Sequence, residues 1–219
     1  MAGRSALNVA APEEALRFFK RAEGMLDFAE VSDVVELRFQ IGLAERSLGR
    51  WMDAVASWQE SLRLAAKVID PTLIARTCAA ANHNIVFALR TDEARQLTEE
   101  ALGLLGPAPT SERGQLLGAL SFSSAWSGDY TTCVEAIAEE LSIAAVLGDE
   151  ALRAHGLAMK TLGHAAFLEH RAAVEHCAEA AEVLRRVDDS WTLSSMFGFM
   201  SYAWWGWADS RRLVPWGWS

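Results

Sequence analysis

Cysteine, proline and tyrosine are scarce in this chain, and several motifs of enzymes and nucleic-acid binders are missing. The 219 residues hold three cysteines, five prolines and two tyrosines. Cys78, Cys133 and Cys177 are odd in number, have no CxxC spacing and fall on apolar helix faces. They read as small buried hydrophobes in a reducing compartment, so a cytoplasmic location is expected. No His–Asp arrangement surrounds any of them, which argues against a nucleophilic role. The GxxxxGK[ST] phosphate loop, HExxH and a basic recognition helix are all absent. The N-terminal MAGRSALNVAAPEEA has no apolar core long enough for a signal peptide and turns acidic at Glu13 and Glu14. Basic residues are outnumbered, 20 to 29, for a net charge of −9. That balance argues against non-specific binding to nucleic acid or an anionic membrane. Arg185-Arg186 and Arg211-Arg212 are too short to reverse it and read as solvated helix ends.

What remains is rich in helix-forming, apolar material. Hydrophobic residues make up 51% of the chain, dominated by Ala and Leu, and few prolines interrupt them. The most regular stretch is Ile41–Leu64, two amphipathic helices meeting at Gly49. Ala54 lets the second helix approach closely, and Trp58 and Leu62 follow on the same face. The pattern returns at a spacing of about 40 residues. A unit of this kind cannot bury its apolar side alone and needs a copy on either side.

Taken in order, residues 1–11 are expected to be a flexible lead-in and 12–208 a helical repeat domain. Pro12 opens the first helix. Ser32-Asp33 should cap the next, which begins a hairpin Val34–Val68 that closes at Asp70-Pro71. A second hairpin spans Pro71–Leu105, with Thr91 as cap after the turn. Gly106-Pro107-Ala108-Pro109 is read as a connection within the array. A third hairpin, Ser111–Leu147, turns at Gly128-Asp129. A fourth runs to about Val187 with a turn near Glu169-His170, and Asp188-Asp189-Ser190 caps a last helix to about Ala208. The periodicity is helical throughout, never alternating, so strands are not expected.

The second helices align as Ala15/Phe19/Ala22, Ala54/Trp58/Ser61, Ala94/Thr98/Ala101, Cys133/Ile137/Glu140 and Ala173/Cys177/Ala180. The first member is always small, as close helix packing requires. With Ile41-Gly42, Gly49, Trp51, Ala54 and Trp58 in the best copy, this resembles the tetratricopeptide repeat (TPR). Leu120-Ser121, Gly128, Tyr130, Cys133 and Ile137 form another copy. The second copy has Leu89 at the turn glycine, and Leu162-Gly163 and Ala173 fit the fourth only with a shortened turn. The longer period is similar to that of TPR-like sensor arrays in large bacterial ATP-dependent transcription regulators and signalling ATPases. The resemblance implies an all-α, right-handed superhelical solenoid of antiparallel hairpins with about ten helices. It also implies a non-catalytic scaffold for a protein or peptide, without cofactor, in a signalling or transcription regulator.

Carrying the groove positions of such arrays across selects Phe39, Leu43 and Arg46, then Arg76, His83 and Phe87, then Gln115, Phe122 and Trp126. For the aromatics, inter-repeat core weighs more than groove, and for Arg46, Arg76 and His83 the reverse. A small-molecule sensor is an alternative, since such a groove accepts a ligand as well as a peptide. A metal-dependent helical-repeat enzyme would have to use His164, Glu169, His170, Glu175, His176, Cys177 and Glu179. His170 and His176 are six apart, on different faces of one helix, so no metal site is expected.

The C-terminal SWTLSSMFGFMSYAWWGWADSRRLVPWGWS carries six of the nine tryptophans. Its apolar run Trp191–Ala208 is diluted by three serines and two glycines, so no membrane span is expected. It matches the first helix of a fifth hairpin, whose second helix is replaced by an irregular Trp-rich tail, 209–219. Solenoids normally end in a polar cap. The expectation is therefore a truncated longer chain that self-associates through this end.

Overall fold

The structure is a computed structural model that describes residues 7, 11–25, 30–190 and 192–201. It comprises α1 (Pro12–Glu23), α2 (Val31–Ser47), α3 (Trp51–Val68), α4 (Pro71–Phe87), α5 (Thr91–Leu105), α6 (Ser111–Ser127), α7 (Tyr130–Leu147), α8 (Glu150–Ala166) and α9 (His170–Arg186). A further helical stretch covers 192–201, and no strand occurs among the described residues. The chain is all-α and built of helical hairpins, as its periodicity implies. It divides into two compact units, Met1–Gly106 and Pro107–Ser219, at the proline-rich connection. Of the expected lead-in only Leu7 and Ala11 are described, and both pack against Ala15, Leu16, Phe19, Ile41 and Ala44. The expected tail 209–219 lies outside the described residues.

The small first position of each second helix is buried in every copy: Ala15, Ala54, Ala94, Cys133 and Ala173 are at most 1% exposed. Five residues before each of the last four sits a left-handed residue, Gly49 (φ +73°), Leu89 (+60°), Gly128 (+81°) or Leu168 (+62°). Two leucines thus adopt a conformation that glycine occupies in the sister hairpins. The fourth turn, Phe167-Leu168-Glu169, is no shorter than Leu48-Gly49-Arg50. Thr161, not Gly163, therefore stands where Gly42 stands in the first hairpin.

Caps follow chemistry only in part. Asp70, Asp149 and Asp189 accept the N–H of Leu73, Leu152 and Thr192 at 3.0, 2.9 and 2.9 Å. Ser32 and Asp33 do not cap α2, which begins at Val31 after Glu30, and Thr91 lies inside α5 after Arg90. Neither helix start has a side-chain cap.

Within unit 1, α2 and α3 interlock at one point. Trp58 is fully buried and its Nε1 donates to the Phe39 carbonyl at 3.1 Å. The indole fits because Gly42 has no side chain: a Cβ there would lie 2.4 Å from Nε1. Ser61 Oγ donates to the Val35 carbonyl and Ser57 Oγ to Glu45 Oε2, at 2.9 and 2.7 Å. In the next hairpin the same two positions hold Asn82 and Thr98, and Asn82 Nδ2 donates to Thr98 Oγ1 at 2.8 Å. A large residue opposite none is exchanged for two of middle size, which keeps the interhelix space filled.

Candidate binding faces

On unit 1 the selected residues lie on α2 and α4. Phe39 is 7% exposed, and its ring sits 4.2 Å from the Arg76 guanidinium carbon. Arg76 is ion-paired with Glu36, which also accepts from Gln40 Nε2 at 2.9 Å. The arginine is thus held over the ring by a partner on α2. Arg46 lies 5.9 Å from the Trp58 ring centroid, and burial lowers its pKa. Leu43 is half-buried beside it. Phe87 is 50% exposed and meets His83 edge-to-face at 4.8 Å. Phe39 therefore packs as core while Phe87 stays open, although both are aromatics of a first helix.

On unit 2 the selected residues lie on α6. Gln115 is exposed, Phe122 is buried and Trp126 is 44% exposed. Phe199, from the stretch 192–201, closes a three-ring cluster with them at centroid distances of 6.3 and 5.7 Å. Sequence reasoning did not select Phe199. The only signal was the density of aromatics near the C-terminus, with nothing local to say which helix they cover.

The polar group near residue 170 is dispersed. His164 Nδ1 and Glu169 Oε2 are 2.5 Å apart, and the His164 ring stacks on His176 at 5.2 Å. Glu175 pairs with Arg171 and Glu179 with Arg153. Among the described residues no three His, Cys, Asp or Glu side chains converge on a metal position. Burial raises the thiol of Cys78 to about 12 and that of Cys133 to about 11, which makes both poor nucleophiles.

One buried charge was not anticipated. Glu140 is fully buried on α7, at the position held by Ser61, Ala101 and Ala180 in other copies. Its Oε1 lies 2.7 Å from His155 Nδ1 on α8. Gly118 of α6 gives the pair its space, since a Cβ there would come 2.4 Å from His155 Cε1 and 3.0 Å from Glu140 Oε1. Burial pushes the Glu140 pKa up against the pull of His155. For His155, burial acts downward, but the facing carboxylate prevails and the net shift is upward.

This arrangement of hairpins, with small residues at the first buried position and left-handed turns, is the TPR-like helical-repeat fold. The solved structures it matches bear this out. A STAND protein with a tetratricopeptide repeat sensor from Pyrococcus horikoshii aligns with a TM-score of 0.67 and 15% identity. The match covers 92% of this chain but 31% of that one, so the chain spans about a third of that protein's length. Kinesin light chain TPR-like repeats from Podospora anserina align with a TM-score of 0.63 and 14% identity, over 86% of this chain and 93% of that one. A Rap protein in complex with competence and sporulation factor gives 0.59 and 13%, over 94% and 62%. No protein-family model and no curated protein sequence matches the chain. No helix among the described residues is long and apolar enough to cross a membrane.

Proposed function

We propose that this chain is a non-catalytic interaction module that binds a protein or peptide segment on the faces of its first helices. The observation that carries this is the α2–α4 face of unit 1. There Arg76 is laid over Phe39 by Glu36, with His83 and half-exposed Phe87 along the same helix. Fixed aromatic and guanidinium groups on packed helices bind with little loss of side-chain freedom, which is what a recognition anchor requires. Trp126 with Gln115 would supply a comparable anchor on unit 2. The likeness to a TPR sensor and to a Rap protein with a bound factor supports the reading, and with it a place in a signalling or transcription regulator. Three free cysteines, none paired, support the cytoplasm.

The test is selection of displayed peptides on the intact chain. Peptides selected by the unchanged protein should bind Arg76→Ala and Phe87→Ala at least about tenfold more weakly, as truncation of anchors requires. Glu99→Lys, on the exposed side of α5, should leave binding unchanged. Selection of no peptide, or equal binding by all three variants, would overturn the proposal.

A further inference from the structure

We propose that unit 2 carries a second, separate site, a pocket between α7 and α8 that takes a small carboxylate with an apolar body. Val134, Ile137 and Leu141 recur along one face of α7, and Lys160 and His164 along one face of α8, with Phe167 just past its end. These two stripes line a cavity of about 220 Å³. Phe167 meets Tyr130 edge-to-face at 4.9 Å, which makes an aromatic end wall. A dry cavity of roughly 150 Å³ already admits a benzene ring, so this one has room for a ring with a short methylene arm.

The polar end selects the charge. Lys160 makes no ion pair among the described residues, although it lines the pocket. The acid of the lining, Glu169, is engaged with His164 Nδ1. His164 Nε2 is shut off from solvent and has no hydrogen-bond partner among the described residues. One ammonium without an ion pair thus stands at the wall of a largely apolar cavity, and the one carboxylate of the lining is already engaged. A carboxylate would meet the ammonium as a charge-assisted hydrogen bond. An apolar amine would meet it as a like charge, and a neutral alcohol would forgo the ionic contact. This site is independent of the peptide-binding faces on α2, α4 and α6, so its failure would not touch them.

The test is calorimetric titration of the whole chain with 4-phenylbutyrate, 4-phenyl-1-butanol and 4-phenylbutylamine. Only the carboxylate should bind saturably. Lys160→Gln should weaken it about tenfold, the scale of one charge-assisted hydrogen bond. Ala138 is exposed at the mouth, and Ala138→Phe should abolish binding by filling the cavity. Val134→Trp does the same from a second position should Ala138→Phe fail to fold. Absence of saturable binding, equal binding of the alcohol or amine, or indifference to Lys160→Gln or to the filling variants would each overturn the proposal.

Discussion

Replacing His155 with alanine should cost unit 2 about 2–3 kcal/mol. Removing one member of a fully buried pair typically costs about 3–5 kcal/mol, because the other charge is left without compensation. Glu140 is fully buried, and its second oxygen has no hydrogen-bond partner among the described residues. His155 is 33% exposed, so water reaches part of the vacated space and the cost falls below that range. The double change His155→Ala with Glu140→Ala should recover much of the loss, since Ala101 and Ala180 occupy the same position in other helices. Because the chain has two units, the readout is hydrogen exchange of α7 and α8 amides rather than one unfolding midpoint. The pair also sets a pH dependence. The His155 pKa is raised above its ordinary 6.5, so its stabilisation is complete below that value and is lost as pH rises through the folded value. The Glu140 pKa is raised above 4.5, so the folded state again holds the proton more tightly and favours lower pH. Both act in one direction: the stability difference between the native chain and the double variant, which lacks both groups, should shrink as pH rises from about 6 to 8. A difference that grows over that range, or a cost for His155→Ala below about 0.5 kcal/mol, would refute the reasoning.

Two further outcomes follow from the hairpin geometry. Leu89→Gly should stabilise unit 1 by about 0.5–1 kcal/mol, because Leu89 is left-handed and 81% exposed, so it gives up strain and little burial. A raised thermal midpoint checks it, and a lowered one counts against the strain. Gly42→Ala should destabilise unit 1 by about 1–3 kcal/mol, since the new Cβ would lie 2.4 Å from Trp58 Nε1 and displace the indole from the Phe39 carbonyl. Denaturant unfolding measures it, and an unchanged midpoint would show that the indole moves at no cost.

Much of the fold was legible, for reasons particular residues show. Ala54, Ala94 and Ala173 announce close helix packing because a large residue cannot stand there, and a periodic apolar stripe names the buried face. Asp70 and Asp149 announce helix starts because their side chains compete for the first free N–H groups. Starts lacking a side-chain cap, at Val31 and Thr91, were displaced by one to three residues toward a polar side chain. The fourth turn looked short because Gly163 resembled Gly42. Leu168 restores the usual length by adopting a conformation that a leucine does not advertise.

The candidate sites were less legible. Phe39 and Phe87 carry the same local signal, yet one is 7% and the other 50% exposed, because Arg76 of another helix covers the first. Phe122 and Trp126 likewise met Phe199 only through folding. By itself the sequence determined that the chain is helical, where its hairpins turn and which side of each helix is buried, since these follow from spacings within one turn or one hairpin. Tertiary structure alone decided which aromatic is covered, that Glu140 finds His155, and that Lys160 faces a cavity. Those outcomes depend on which residues of different helices are brought together, and a helical period says where a side chain points but not what it meets.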